Sequence, residues 1–137
     1  MFGLIRKQNN KGNKGYRGKI EYPSGCAVED GTNTYLIKTK GFYRFGSNRA
    51  YQSWYLLAGE CLPENIAHLK ELGELGFREG SLLSKYSDGT LHLVSNNKTR
   101  HIVDPDALDK YSLLGRYIWV VSDSEFNLHD VGDELSG

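Results

Sequence analysis

Two stretches of this chain answer one another at a fixed spacing. Laid on itself at a shift of 57 residues, the sequence puts Tyr35 on His92, Leu36 on Leu93, Ile37 on Val94, Phe45 on Ile102 and Ala50 on Ala107. Asp30-Gly31, ahead of the first run, is answered by Asp88-Gly89 ahead of the second. A period of that size is one supersecondary unit used twice. Hydrophobic residues make up only 39% of the chain, but nine Tyr, five Phe and two Trp supply rings large enough to fill a core. No apolar run reaches membrane-spanning length.

Charge divides the chain differently. Arg6, Lys7, Lys11, Lys14, Arg17 and Lys19 give the first twenty residues six positive charges and no acid, whereas residues 21–137 hold eleven bases and all seventeen acids. Gln, Asn and Gly fill the gaps between those bases, a composition that buries no core. Residues 1–20 therefore read as a basic, extended arm on an acidic body. The opening Phe2-Gly3-Leu4-Ile5 is too short for a secretory signal and points to synthesis in a cytoplasm.

Local signals along the body recur in one order. Cys26 to Glu29, Asn33 to Lys38 and Phe42 to Phe45 are β-prone runs separated by turn residues. Ser47 then suits an N-cap, with a helix expected over 48–57. In the second copy, strands are expected over 81–86, 90–95 and 98–103, with turns at Ser87-Asp88-Gly89 and Asn96-Asn97. Asp104 caps and Pro105 opens a helix to about Tyr111. Glu60-Cys61-Leu62 and Tyr117 to Val121 read as further strands. Pro63 opens a helix whose Ile66, Leu69 and Leu72 share a face, and Ser122-Asp123-Ser124-Glu125 has the capping-box pattern of a short helix. The expected fold is α+β: two similar units, 21–76 and 77–137, each a three-stranded antiparallel meander followed by short helices, with the arm in front.

The run Gly80-Ser81-Leu82-Leu83, then Asp88-Gly89-Thr90-Leu91-His92-Leu93-Val94, then Lys98-Thr99-Arg100-His101-Ile102, closing with Val131-Gly132-Asp133-Glu134-Leu135, resembles a short β-rich repeat module of bacteriophage virion structural proteins and some bacterial surface proteins. The first copy follows it only in outline, with Phe42-Tyr43-Arg44-Phe45 in place of the charged strand. The resemblance implies a non-catalytic structural or adhesive part of a phage particle, assembled in the host cytoplasm. Its partners would be other virion subunits, copies of itself among them.

Candidate chemistry is sparse. Cys26 and Cys61 lack metal-ligand spacing; a cytoplasmic setting favours free thiols, with a single disulfide between them as the alternative. His92 and His101 fall on adjacent expected strands but have no third ligand beside them, and no metal or cofactor is expected. The Ser residues sit in turns and caps rather than beside a base, so no catalytic residue is assigned. The expected sites are for partner binding: on the arm Phe2, Leu4, Ile5, Arg6, Lys7, Lys11, Lys14, Tyr16, Arg17 and Lys19, and on the body Tyr22, Phe42, Tyr43, Trp54 and Tyr55, since large rings dominate interface energies. Trp119, inside an apolar run, reads as core. Two rival classes are a carbohydrate-binding or host-adhesion module, whose rings would stack on sugars, and a small nucleic-acid-binding protein using the arm. The acidic body argues against the second.

Overall fold

The computed structural model describes residues 15–137. The fold is α+β, with two five-stranded mixed sheets and four short helices among these residues. Two compact units divide the chain: residues 15–45 with Tyr55–Leu75, and Gly46–Trp54 with Gly76–Gly137.

The first unit is built on strands β1 (Ala27–Glu29), β2 (Thr34–Lys38) and β3 (Gly41–Phe45), which pair antiparallel in sequence order. Two strands flank them in parallel, β4 (Gly59–Glu60) beside β1 and β5 (Glu71–Leu75) beside β3. Helix α2 (Pro63–Ile66) connects these two. Its Ile66 packs with Val28, Tyr35, Ile37 and Cys61 in a buried cluster. The expected longer helix from Pro63 is not formed, and Leu72 lies in β5. The Ile66-Leu69-Leu72 spacing satisfies a helix, but β3 offers residues 71–75 a ladder of backbone partners, and the tertiary contact outweighs the local pattern. Phe42 N–H donates to Lys70 O at 2.9 Å where the two strands meet. Gly41 makes that approach possible, because a Cβ there would run into the Lys70 carbonyl.

In the second unit β6 (Leu82–Lys85), β7 (Leu91–Ser95) and β8 (Lys98–His101) pair antiparallel, again with parallel flanks: β9 (Ile118–Val121) beside β6 and β10 (Asp130–Val131) beside β8. Both faces of this sheet are covered. Leu83, Val94 and Val121 pack on one face with Ala50 of α1 (Asn48–Gln52), Phe77, and Phe126 of α4 (Asp123–Phe126). On the other face Leu82 packs with Ile102, Leu113, Leu135 and Ala107 of α3 (Asp106–Lys110).

Two expectations change here. The sequence reading counts residues 46–54 with the first unit, but they belong to the second, where Ala50 and Ala107 are both fully buried on opposite faces of one sheet. Helix α1 also ends at Gln52 rather than near Leu57. Ser53 Oγ bonds back to Ala50 O at 2.7 Å, and Tyr55 turns the backbone to φ 54°, which no helix continues through.

Candidate interaction surfaces

The root of the arm is held by a buried amide. Pro63 starts α2, which sets Asn65 two residues on with its side chain turned back over the helix start. Asn65 is fully buried. Its Oδ1 accepts from Leu62 N–H at 2.8 Å, and its Nδ2 donates to Tyr16 O at 2.8 Å and Gly18 O at 2.6 Å. Its backbone carbonyl accepts from Ile20 N–H at 3.0 Å. The side chain thus spends both amide protons and its oxygen on backbone groups, the arrangement that makes burying an amide tolerable. Arg17 adds an exposed ion pair to Glu64 at 3.2 Å, and Tyr16 and Lys19 remain exposed. The other arm residues named above, Phe2, Leu4, Ile5, Arg6, Lys7, Lys11 and Lys14, lie outside the described residues.

The body aromatics divide sharply. Tyr22 and Phe42 pack against the core cluster of the first unit, and Phe42 meets Tyr35 edge-on with ring centroids 5.2 Å apart. Tyr43 is half-buried on β3. Trp54, in the second unit, is half-buried with its indole N–H on Gly76 O at 3.0 Å. Of the five body rings expected to anchor a partner, Tyr55 alone is well exposed, at 73%. Trp119 is half-buried and packs against Tyr117 and Phe77 at centroid distances of 4.7 and 6.3 Å.

Exposed apolar side chains outside the expected anchors include Leu57, at 97%, on the first unit, and Tyr86, Leu114, Tyr117, Ile118, Val120 and Val131 on the second. The alternation in Tyr117-Ile118-Trp119-Val120-Val121 carries a signal for two of them. If Trp119 and Val121 face the core, Ile118 and Val120 face away.

The titratable groups are arranged for packing and turns. Burial, with His101 beside it, pushes the His92 imidazole down to about 4. The two rings, paired across β7 and β8, lie 5.0 Å apart, and His92 also meets Phe126 edge-on at 4.6 Å. No group of three His, Cys, Asp or Glu able to hold a metal ion occurs among the described residues. Both cysteines are free thiols. Burial, then Asp30 and Glu29, pushes Cys61 up to about 11, so it is a thiol at neutral pH. An open hollow on the first unit is lined by Asp30, Tyr35, Phe42, Pro63, Ile66 and Glu71. There Tyr35 OH donates to Asp30 Oδ2 at 2.9 Å.

No protein-family model matches the chain, and no curated protein does. Among solved structures, a chain of the periplasmic assembly from the ESX-5 inner membrane complex aligns over 93% of this chain and 38% of its own length, at 13% identity and a TM-score of 0.32. The present chain therefore spans well under half of that protein.

Proposed function

We propose that this chain is a non-catalytic structural protein of a bacteriophage virion, built from two copies of one unit and fastened to neighbouring subunits through its N-terminal arm. The observation that carries the reading is the Asn65 clamp. A fully buried side chain is committed to the backbone of Tyr16 and Gly18, which holds the described start of the chain, residues 16–18, against the first unit. Fixing the base of a tail is useful when the tail must reach a particular site, because less freedom remains to be lost on binding. The repeat reading is supported by strand order. Each sheet has three consecutive antiparallel strands in its middle and two parallel strands at its edges, in corresponding places. The setting in a particle rests on the resemblance of residues 80–135 to virion repeat modules.

The test is to grow particles with a copy lacking residues 1–14 and to measure its folding and its occupancy. A folded body absent from the particles supports the reading. Full occupancy by the shortened chain overturns the role of the arm. Binding to DNA that weakens steeply with salt and disappears with the arm would favour the nucleic-acid class instead.

A further inference from the structure

The second unit carries a sheet edge unlike the others. Edge strands expose unpaired N–H and C=O groups, and proteins blunt them with charge. Three of the four sheet edges here follow that rule, with Glu60 on β4, Glu71 and Glu74 on β5, and Asp130 on β10. The fourth, β9, reads Ile118-Trp119-Val120-Val121, with Tyr117 before it and Ser122 after it, and has no charge at all. Tyr86 N–H donates to Val121 O at 3.0 Å, so Val121, and by alternation Trp119, turn their backbone groups toward β6. Those of Ile118 and Val120 point to the open side, where no described strand pairs with them. The side chains of the same two residues are 44% and 52% exposed.

We infer that the open edge of β9 is a self-association site, where β9 of a second copy adds in antiparallel orientation and joins two sheets into one. A second copy is the occupant that the charges select. The neutral run is bounded by Arg116 at its start and Asp123 at its end, so an antiparallel copy brings each Arg116 within a residue or two of the other chain's Asp123. A parallel copy would set like charges together at both ends. With Ile118 and Val120 supplying the outward backbone groups, the natural registers place Ile118 of one copy opposite Val120 of the other, or Val120 opposite itself. The pairing is isologous and closes as a dimer. It also covers Tyr117, Ile118 and Val120, whose exposure is otherwise unexplained.

The experiment is sedimentation equilibrium of the full chain over a wide concentration range, with amide hydrogen exchange read at both ends of it. The expected result is a monomer–dimer equilibrium in which the Ile118 and Val120 amides become protected on dimerisation, while those of Trp119 and Val121 are protected throughout. Val120→Lys, at an exposed position, should leave the far-UV spectrum unchanged and weaken association by at least about tenfold, since the pairing sets like charges close together. Val120→Pro removes only an outward donor and should do the same. A chain that stays monomeric, a dimer whose Ile118 and Val120 amides stay unprotected, or folded variants that dimerise as well as the parent would each overturn the proposal. A chain lacking residues 1–14 separates this site from the arm. Dimerisation that survives the deletion supports the edge even if the arm proves dispensable in particles, and dimerisation that is lost with it assigns the contact to the arm.

Discussion

Arg49 and Glu125 meet fork to fork. The guanidinium Nε lies 3.1 Å from both carboxylate oxygens, and Nη2 lies 2.9 Å from Oε1. Glu125 is nearly buried and also accepts the Ser122 N–H at 3.0 Å, closing the capping box of α4. One carboxylate thus finishes one helix and ties α1 beside it. Burial alone would raise the Glu125 pKa, but the bonds from Arg49 and the Ser122 backbone outweigh it and hold the carboxyl below its ordinary value.

Removing the charge while keeping the shape should isolate the clamp. Glu125→Gln retains an oxygen for Ser122 and loses the paired charge. We expect a loss of about 1–2 kcal/mol, with a coupling to Arg49→Ala of about 1 kcal/mol, because the guanidinium is half-exposed and partly screened. Urea unfolding of the two single variants and the double variant measures it. Because the folded pKa is depressed, the contribution is present above the ordinary carboxylate range and disappears as pH falls through the lowered value.

The Asn65 clamp gives a second prediction. Asn65→Ala leaves the Leu62 N–H and two carbonyls without their partners and should cost about 2–3 kcal/mol. Asn65→Asp is the sharper variant. It keeps an acceptor for Leu62 but turns a second oxygen toward the carbonyls of Tyr16 and Gly18. Limited proteolysis near Arg17 and Lys19 should accelerate in both variants. Unchanged cleavage would show that the arm root is held by other contacts.

Much of the fold was legible because its signals are local. Asp-Gly and Asn-Asn announce turns by their tolerance of positive φ, and Asn96 and Asn97 adopt 53° and 63°. Ser122 and Glu125 form the box that their spacing describes. What could not be read depends on distant partners. Residues 71–75 form a strand because β3 is beside them, and α1 joins the second unit because Glu125, 76 positions away, holds Arg49. Leu93, which the 57-residue shift lays on Leu36, is only half-buried, whereas Leu36 is 3% exposed. Large rings are favoured anchors, but Tyr22, Phe42 and Trp54 pack within their own units, and the exposure of Ile118 and Val120 is written in the alternation of their strand, whereas the open edge beside them follows from strand order, which no local pattern encodes. Asn65 left one faint trace, a polar residue at the third position of a helix opened by proline.

Turn and packing glycines should separate in a simple comparison. Gly89 has φ 72° and open space around it, so Gly89→Ala meets only the backbone penalty, about 1 kcal/mol, with Val costing more. Gly41→Ala should cost clearly more, because a methyl group there collides with a main-chain carbonyl and must force β5 away from β3. Denaturant midpoints rank the variants. Equal losses at both sites would remove the close-approach argument for Gly41.

The pH dependence of the second unit should be governed by buried histidines. His129 Nε2 accepts the Phe77 N–H at 2.8 Å, and Nδ1 lies 3.1 Å from Asn97 O, which fixes a neutral ring with its proton on Nδ1. Burial lowers its pKa, although the Asn97 carbonyl and Asp130 pull the other way. Protonating Nε2 would point an N–H at the buried Phe77 N–H, so the folded protein resists it. An unfolded chain takes up that proton near its ordinary value of about 6.5. Stability from His129 is therefore complete above that value and falls as pH drops toward the lowered folded one. His92, held down to about 4, adds a loss of the same sign, on the order of 1–2 kcal/mol between pH 7 and 5. Urea midpoints should fall steadily from pH 7 to 5. In His129→Gln they should start lower at pH 7 and fall less, so that the two proteins converge on acidification. A slope unchanged by the substitution, with the parent imidazole titrating at its ordinary value by NMR, would show that the ring is open to solvent protons and that the Phe77 bond does not control its charge.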